Sequence, residues 1–217
     1  MKNNEYKIIY AGGVGEIVEK KSRFIASIIP VKNEQEAVEF IASKKKEYWD
    51  ARHNCSAFVI GVNNEITRCS DDGEPAQTAG RPMLDVLLKE NIHDCAVVVT
   101  RYFGGVLLGT GGLVRAYQGA VKEGLANCKV LNLQYGYPFL ITTDYNGYGK
   151  IEYLLREKNL SILDTQFGEN VVISSVTPEE LKQELEKSIA NKTAGSAMVA
   201  WQDLVRYALV DGQLVLF

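Results

Sequence analysis

The sequence predicts an α+β protein, and three observations carry that prediction. Short β-branched runs alternate with segments of helical periodicity, so strands and helices are interspersed along the chain. The pattern restarts around Leu133–Pro138, where NLQYGYP reads as a short linker between residues 1–134 and 135–217. The 217 residues, 46% hydrophobic and 24% charged, have an ordinary globular composition and suffice for two modest domains.

In the first half, Tyr6–Tyr10 and Glu16–Lys20 flank the turn-rich Ala11–Gly15 and predict a hairpin. Ser22–Ile29 predicts a third strand, stopped by Pro30. Asn33 followed by Glu36 predicts a capping box, with Ala37, Phe40, Ile41 and Tyr48 on one helical face. Lys44–Lys46 fall in the last turn, where cations suit the macrodipole and face solvent. Cys55–Val62 predicts a buried strand ending at an Asn63-Asn64 turn. Ser70–Leu84 (SDDGEPAQTAGRPML) is too polar and breaker-rich for an element interior and predicts a loop. Pro82 suits the first position of a helix over Met83–Asn91. Cys95–Tyr102 predicts a strand and Gly112–Asn127 a closing helix with Leu113, Tyr117, Ala120, Val121 and Leu125 on one stripe.

In the second half, Phe139–Asp144, Leu160–Phe167, Val171–Val176 and Met198–Trp201 read as strands, and Tyr148–Lys158 as a helix. Thr177-Pro178-Glu179-Glu180 predicts a capping box opening a second helix to about Ala190. This βαββαβ order is the split-βαβ, ferredoxin-like pattern. Asp211-Gly212 between Tyr207–Val210 and Gln213–Phe217 predicts a terminal hairpin.

Composition narrows the function classes. The net charge is −3, with 17 basic against 16 acidic residues over 1–134 and 7 against 11 over 135–217. Neither half is polybasic, so phosphate recognition has to come from local clustering. The six arginines of the first half (Arg23, Arg52, Arg68, Arg81, Arg101 and Arg115) do lie in or beside glycine- or turn-bearing segments. No run is apolar enough for a bilayer span or a signal peptide, so no membrane association and a cytoplasmic location are expected. Cys55, Cys69, Cys95 and Cys128 form no CxxC pair and are expected as reduced thiols.

Val97–Ala120 (VVVTRYFGGVLLGTGGLVRAYQGA) is the densest motif. A strand, a glycine loop and a helix follow one another, the local grammar of an anion site. Arg101 precedes Gly104, Gly105, Gly109, Gly111 and Gly112, and Arg115 follows them. Guanidinium groups and main-chain amides there suit phosphate oxygens; Tyr102 and Phe103 can stack on a base if exposed. Arg81 on the preceding helix is a further candidate. The competing reading is a buried loop whose glycines only let helix and strand pack closely.

Three other constellations suggest chemistry. Asp71, Asp72 and Glu74 have the oxygen ligands a hard cation wants, yet a turn held by Asx hydrogen bonds explains them equally well. No Walker lysine pattern accompanies the glycine loop, and no cofactor is expected. His53-x-Cys55 and His93-x-Cys95 could form a tetrahedral zinc site if their strands were neighbours. Cys55 or Cys69 beside His53 could act as a nucleophile, although no orienting third group is evident.

DARHNCSAFVIG (50–61), SDDGEPAQTAGRPML (70–84) and VVVTRYFGGVLLGTGGLVRAY (97–117), with SRFIA (22–26) upstream, resemble the YigZ/IMPACT family over most of residues 16–125. The resemblance implies a first domain like domain 2 of the small-subunit ribosomal protein S-five, a fold shared with domain IV of elongation factor G. It implies a ferredoxin-like second domain similar to domain V of that factor. Those relatives act on RNA or the ribosome, and eukaryotic members bind the activator of a starvation-responsive translation kinase through an additional domain.

The expected role is therefore a translation-linked accessory that binds RNA or the ribosome. One alternative is an enzyme acting on a phosphorylated or nucleotide ligand, with Asp72 and Glu74 holding a metal. Another is a protein-binding module with an apolar patch over Tyr102–Leu108. The oligomeric state is left open.

Overall fold

The β-branched runs and amphipathic segments form interleaved strands and helices in the computed structural model, which describes residues 6–217. The protein is α+β, and its described residues divide into two units, Tyr6–Asn132 and Leu133–Phe217.

The first unit contains β1 (Tyr6–Ala11), β2 (Gly13–Glu19), β3 (Ser22–Pro30), α1 (Glu34–Glu47), β4 (His53–Ile60), β5 (Ile66–Ser70), α2 (Gly80–Lys89), β6 (Ile92–His93), β7 (Cys95–Tyr102) and α3 (Thr110–Ala126). Its main sheet has the order β2-β3-β7-β4-β5, with every neighbouring pair antiparallel. Alternate residues serve opposite faces. Phe24, Ala26, Ile28, Cys55, Ala57, Val59, Val97 and Val99 meet α2 and α3 through Met83, Leu87, Leu113, Tyr117 and Val121. Phe58, Ile60, Ala96 and Val98 meet Ala37 and Phe40 of α1 on the other face. Burial on both faces explains why β4 and β7 read as continuous apolar runs. Each fully buried large side chain contributes roughly 1.5–3 kcal/mol of transfer free energy.

The hairpin expected from Tyr6 to Lys20 does not form. β1 instead pairs in parallel with β6, and β2 pairs with β3. The turn that does form is Lys20-Lys21, with φ of 45° and 67°. Asn33 caps α1, accepting from the Glu36 amide at 2.9 Å. β5 was not expected: it is a short strand on the sheet edge and mostly exposed, so it carries no apolar alternation. α2 begins at Gly80, which places Pro82 third in the helix. Its missing N–H costs nothing there, because first-turn donors have no intrahelical acceptor.

β8 (Lys129–Thr143) runs straight through Leu133–Pro138, so that segment is strand and not linker. In the second unit β8 is joined by α4 (Tyr145–Glu157), β9 (Ile162–Phe167), β10 (Val171–Thr177), α5 (Glu179–Lys192), β11 (Met198–Trp201), β12 (Val205–Val210) and β13 (Gln213–Leu216). The order β9-β10-β8-β11, antiparallel throughout, is the arrangement a split βαβ unit produces. Phe139, Ile141, Val171 and Ile173 bury against Ile151, Leu155, Leu185 and Ile189 of the two helices. The capping box expected at Thr177 is absent. Pro178 is the N-cap without a side-chain bond, and the Thr177 hydroxyl donates to the Pro178 carbonyl. The terminal hairpin forms, with Asp211 and Gly212 both at positive φ.

Candidate functional site

Both dense motifs converge on one end of the main sheet. There β3 begins, β7 ends, β4 begins, and the 71–79 loop runs from β5 into α2. The loop is organised by its carboxylates. Asp71 accepts from the amides of Gln77, Ala79 and Gly80 at 2.8–3.0 Å, and so caps α2. Asp72 accepts from the Asn54 amide at 2.7 Å and pairs with Lys45. The Asp72 carbonyl lies 2.9 Å from His53 Nδ1. The loop is a turn held by side-chain hydrogen bonds, as one of the two sequence readings expected.

Glu74 turns inward. Its side chain and that of Arg101 are only 3% and 7% exposed, and they form an ion pair at 2.6 Å. Tyr117 donates to the same Glu74 oxygen at 2.8 Å, and the Cys55 thiol lies 3.3 Å from the Tyr117 hydroxyl. The Arg101 guanidinium packs over the Phe24 and Phe103 rings, and its Nε is buried without a hydrogen-bond partner. Arg101 is therefore not the phosphate-gripping residue its position suggested. It neutralises a buried carboxylate and pins the 71–79 loop onto β7. Sequence reading could not find this pair, because its members are far apart in the chain.

The metal, zinc and nucleophile readings fail on the same geometry. Asp71, Asp72 and Glu74 are each committed to protein donors and point to different places. Among the described residues no group of three or more His, Cys, Asp or Glu side chains could hold a metal ion. β4 and β7 are neighbours, but they are antiparallel: Cys55 pairs with Val99 and Cys95 with Val59, which puts the two His-x-Cys pairs at opposite ends. Burial pushes the Cys55 thiol up to about 12, so it stays protonated at neutral pH. Cys69 is exposed, and partial burial raises its thiol as well.

The glycine loop itself is open. The Gly104 amide donates to the buried Ser22 hydroxyl at 3.1 Å, and a Cβ there would collide with the Lys21 main chain. That amide is thus already satisfied and unavailable to a ligand. Beyond it the chain swings into solvent through Gly105 and Gly109, both at positive φ with open space around them. Phe103, Val106 and Leu107 are exposed, Leu107 to 83%.

α3 starts at Thr110, two residues earlier than expected, with Gly109 as an N-cap that has no side chain to offer. The first main-chain bond at this end is Leu113 N–H to the Gly109 carbonyl at 3.0 Å. The amides of Thr110, Gly111 and Gly112 have no acceptor among the described residues. Such a terminus presents donors and partial positive charge. α1, α2 and α4 all carry a carboxylate or amide cap at the equivalent place, whereas the first turn of α3 has no acidic residue. Arg115, on the next turn, is exposed and without an ion-pair partner among the described residues.

The other expected residues are differently placed. Tyr102 is half-buried, donates to Asp50 at 2.8 Å, and has the Arg23 guanidinium over its ring. Arg81 is exposed and paired with Asp85 on its own helix. Sequence reasoning missed Lys20, Lys21 and Trp49, and it named Arg52 without a role. All four are exposed at the same sheet end, Trp49 to 82%. The sequence signal was faint: two lysines at a tight turn, and a tryptophan just past a helix end.

The residues that build this end of the sheet match the Impact N-terminal domain over residues 20–125, and the second unit matches the domain of unknown function DUF1949 over 141–196. The IMPACT family member YvyE of Bacillus subtilis is 46% identical over 177 residues, which cover 82% of each chain. The chain belongs to the IMPACT family. The family member YigZ of Escherichia coli is 35% identical over 82% of this chain and 88% of its own. A crystal structure titled as a hypothetical protein is similar with a TM-score of 0.58 at 32% identity, covering 92% of this chain and 98% of that one. The glycine loop, the 71–79 loop and the buried Glu74–Arg101 pair of this IMPACT protein all lie within the Impact N-terminal domain. No helix among the described residues is long and apolar enough to cross a membrane.

Proposed function

We propose that this IMPACT protein is a translation-linked accessory that binds RNA, free or on the ribosome, at the open end of its first sheet. The observation that carries this reading is the start of α3. Three main-chain donors without acceptors lie beside an exposed arginine without a carboxylate partner, both among the described residues, at the mouth of a loop that projects into solvent. Backbone amides at a helix start and a nearby guanidinium suit phosphate oxygens, and contacts of this kind fix a protein on a nucleic-acid backbone without reading its bases. Of the three arginines that the sequence offers for phosphate, Arg81, Arg101 and Arg115, only Arg115 has no carboxylate partner among the described residues. Gly111 and Gly112 supply amides, and Gly104 does not. The resemblance of the chain to domains that act on the ribosome is an analogy of fold and adds weight only in that sense.

The test is co-sedimentation with ribosomes and retention of total RNA at about 50 mM salt, comparing the parent protein with Arg115→Glu. Binding by the parent and its loss in the variant are expected. No retention of either RNA or ribosomes by the parent at that ionic strength contradicts the proposal.

A second reading has one specific observation in its favour. Phe103, Val106 and Leu107 form an exposed apolar run on the same loop, as a protein-docking surface would require. It differs in its response to salt, to which an apolar contact is nearly indifferent. The enzyme reading loses its metal ligands, since Asp72 and Glu74 are both engaged by protein donors.

A further inference from the structure

We infer that the nucleic acid recognised at this sheet end is single-stranded RNA, with bases stacked on Trp49 and Phe103 and phosphates held by Lys20, Lys21, Arg52 and Arg115. This rests on the RNA-binding reading above and goes beyond it in naming the strand state and the residues that select it.

The placement follows from strand register. β3 and β4 both pair with β7, Arg23 opposite Tyr102 and His53 opposite Arg101. Lys21, just before β3, therefore lies beside the loop that leaves β7, close enough that a Gly104 Cβ would strike its main chain. Arg52, just before β4, borders β7 from the other side. The Tyr102 hydroxyl bond to Asp50 fixes the segment that bears Trp49 at this edge. Phe103 follows Tyr102 directly. Trp49 and Phe103 are thus the chain neighbours of the two partners in that bond, and both rings are exposed at this sheet end.

Charge decides the chemistry of the guest. Lys20, Lys21, Arg52 and Arg115 are exposed and form no ion pair among the described residues. Among the neighbouring carboxylates, Glu16, Glu47 and Asp72 are ion-paired with Arg23, Lys44 and Lys45, whereas Asp50 accepts from the neutral Tyr102 hydroxyl and keeps its charge. Glu19, like Asp50, has no ion-pair partner among the described residues, so four cations face two uncompensated carboxylates. The balance left over favours a polyanion. An aromatic face can take a base only if that base is unstacked, which a duplex does not offer and a single strand does. The Phe103 ring has the Arg101 guanidinium over one face and remains exposed, so ring surface is left for a base.

The backbone at Lys20 and Lys21 points the same way. Both are lysines at positive φ, where glycine or asparagine is the ordinary occupant. The tight turn holds both lysine side chains out at this sheet end.

The experiment is fluorescence anisotropy at about 50 mM salt with a labelled mixed-sequence 12-nucleotide RNA, single-stranded or annealed to its complement. The single strand is expected to bind at least tenfold more tightly than the duplex. Trp49→Ala and Phe103→Ala are each expected to weaken the single strand by roughly tenfold and leave the duplex unchanged. Both side chains are exposed, and circular dichroism melts matching the parent confirm folding. As a second readout, single-stranded RNA should quench tryptophan emission in a Trp201→Phe variant. Equal affinity for both RNAs, unaffected by either aromatic substitution, overturns the inference while the broader RNA reading stands. Failure to bind either RNA overturns both and leaves the apolar rim to a protein partner.

Discussion

Removing the Glu74 carboxylate strands the Arg101 guanidinium in a buried site between the Phe24 and Phe103 rings. A buried charge left without its partner costs about 3–5 kcal/mol, whereas neutralising both members together costs little. Glu74→Ala is therefore expected to lower unfolding free energy by about that amount in urea titrations. Glu74→Gln/Arg101→Met should recover most of it. A Glu74→Ala protein within 1 kcal/mol of the parent would show that the pair does not hold the loop. The thiols give a second check. Cys55 and Cys95 are buried and Cys69 is exposed, so a thiol reagent at pH 8 should modify Cys69 quickly and reach Cys55 and Cys95 only after denaturation. The folded state keeps the Cys55 proton to about pH 12, while the unfolded thiol loses it near 9. The folded state thus binds more protons in that window, and stability should fall as pH rises from 9 to 12. The sequence showed an arginine beside glycines but not where it points, because its partner comes from a loop folded back across the sheet.

The β2–β3 hairpin shows strain retained in an element. Lys20 and Lys21 both take left-handed backbone, at a cost of about 1–2 kcal/mol per residue relative to glycine. Lys20→Asn/Lys21→Gly is expected to raise unfolding free energy by about 1 kcal/mol and to weaken RNA binding in the same protein. Stabilisation with unchanged RNA affinity would remove these lysines from the interface. This turn lacks the Asn-Gly signature, so the sequence points to a hairpin at Ala11–Gly15 and not to the β2–β3 hairpin that forms. β7 and α3 were legible because each buries a full face, which imposes a regular apolar period. β5 was not, because an exposed edge strand needs no such period. β8 escaped because a glycine and a proline punctuate a strand that continues through both. Asp71 caps α2 from outside the helix, and its role could not be read from spacing alone.

At the scale of the whole molecule, the α+β alternation and the charge balance are legible in the sequence, whereas the edge strand β5 and the course of β8 are not. The first half carries a slight basic excess and the second an acidic one, so attraction to a polyanion has to be local and strongly screened. Lys20, Lys21, Arg52 and Arg115 are exposed at this sheet end with no ion-pair partner among the described residues, and on the proposed reading their number sets how binding responds to salt. Each contact with a single strand contributes about −0.7 to the slope of log K against log salt. The most direct test is that slope, measured by anisotropy with single-stranded RNA between about 50 and 200 mM salt. The parent should give about −3, equivalent to a loss of about fiftyfold in affinity over that range, and Arg115→Ala about −2. A flat response, or the same slope for both proteins, would contradict a phosphate grip at the start of α3.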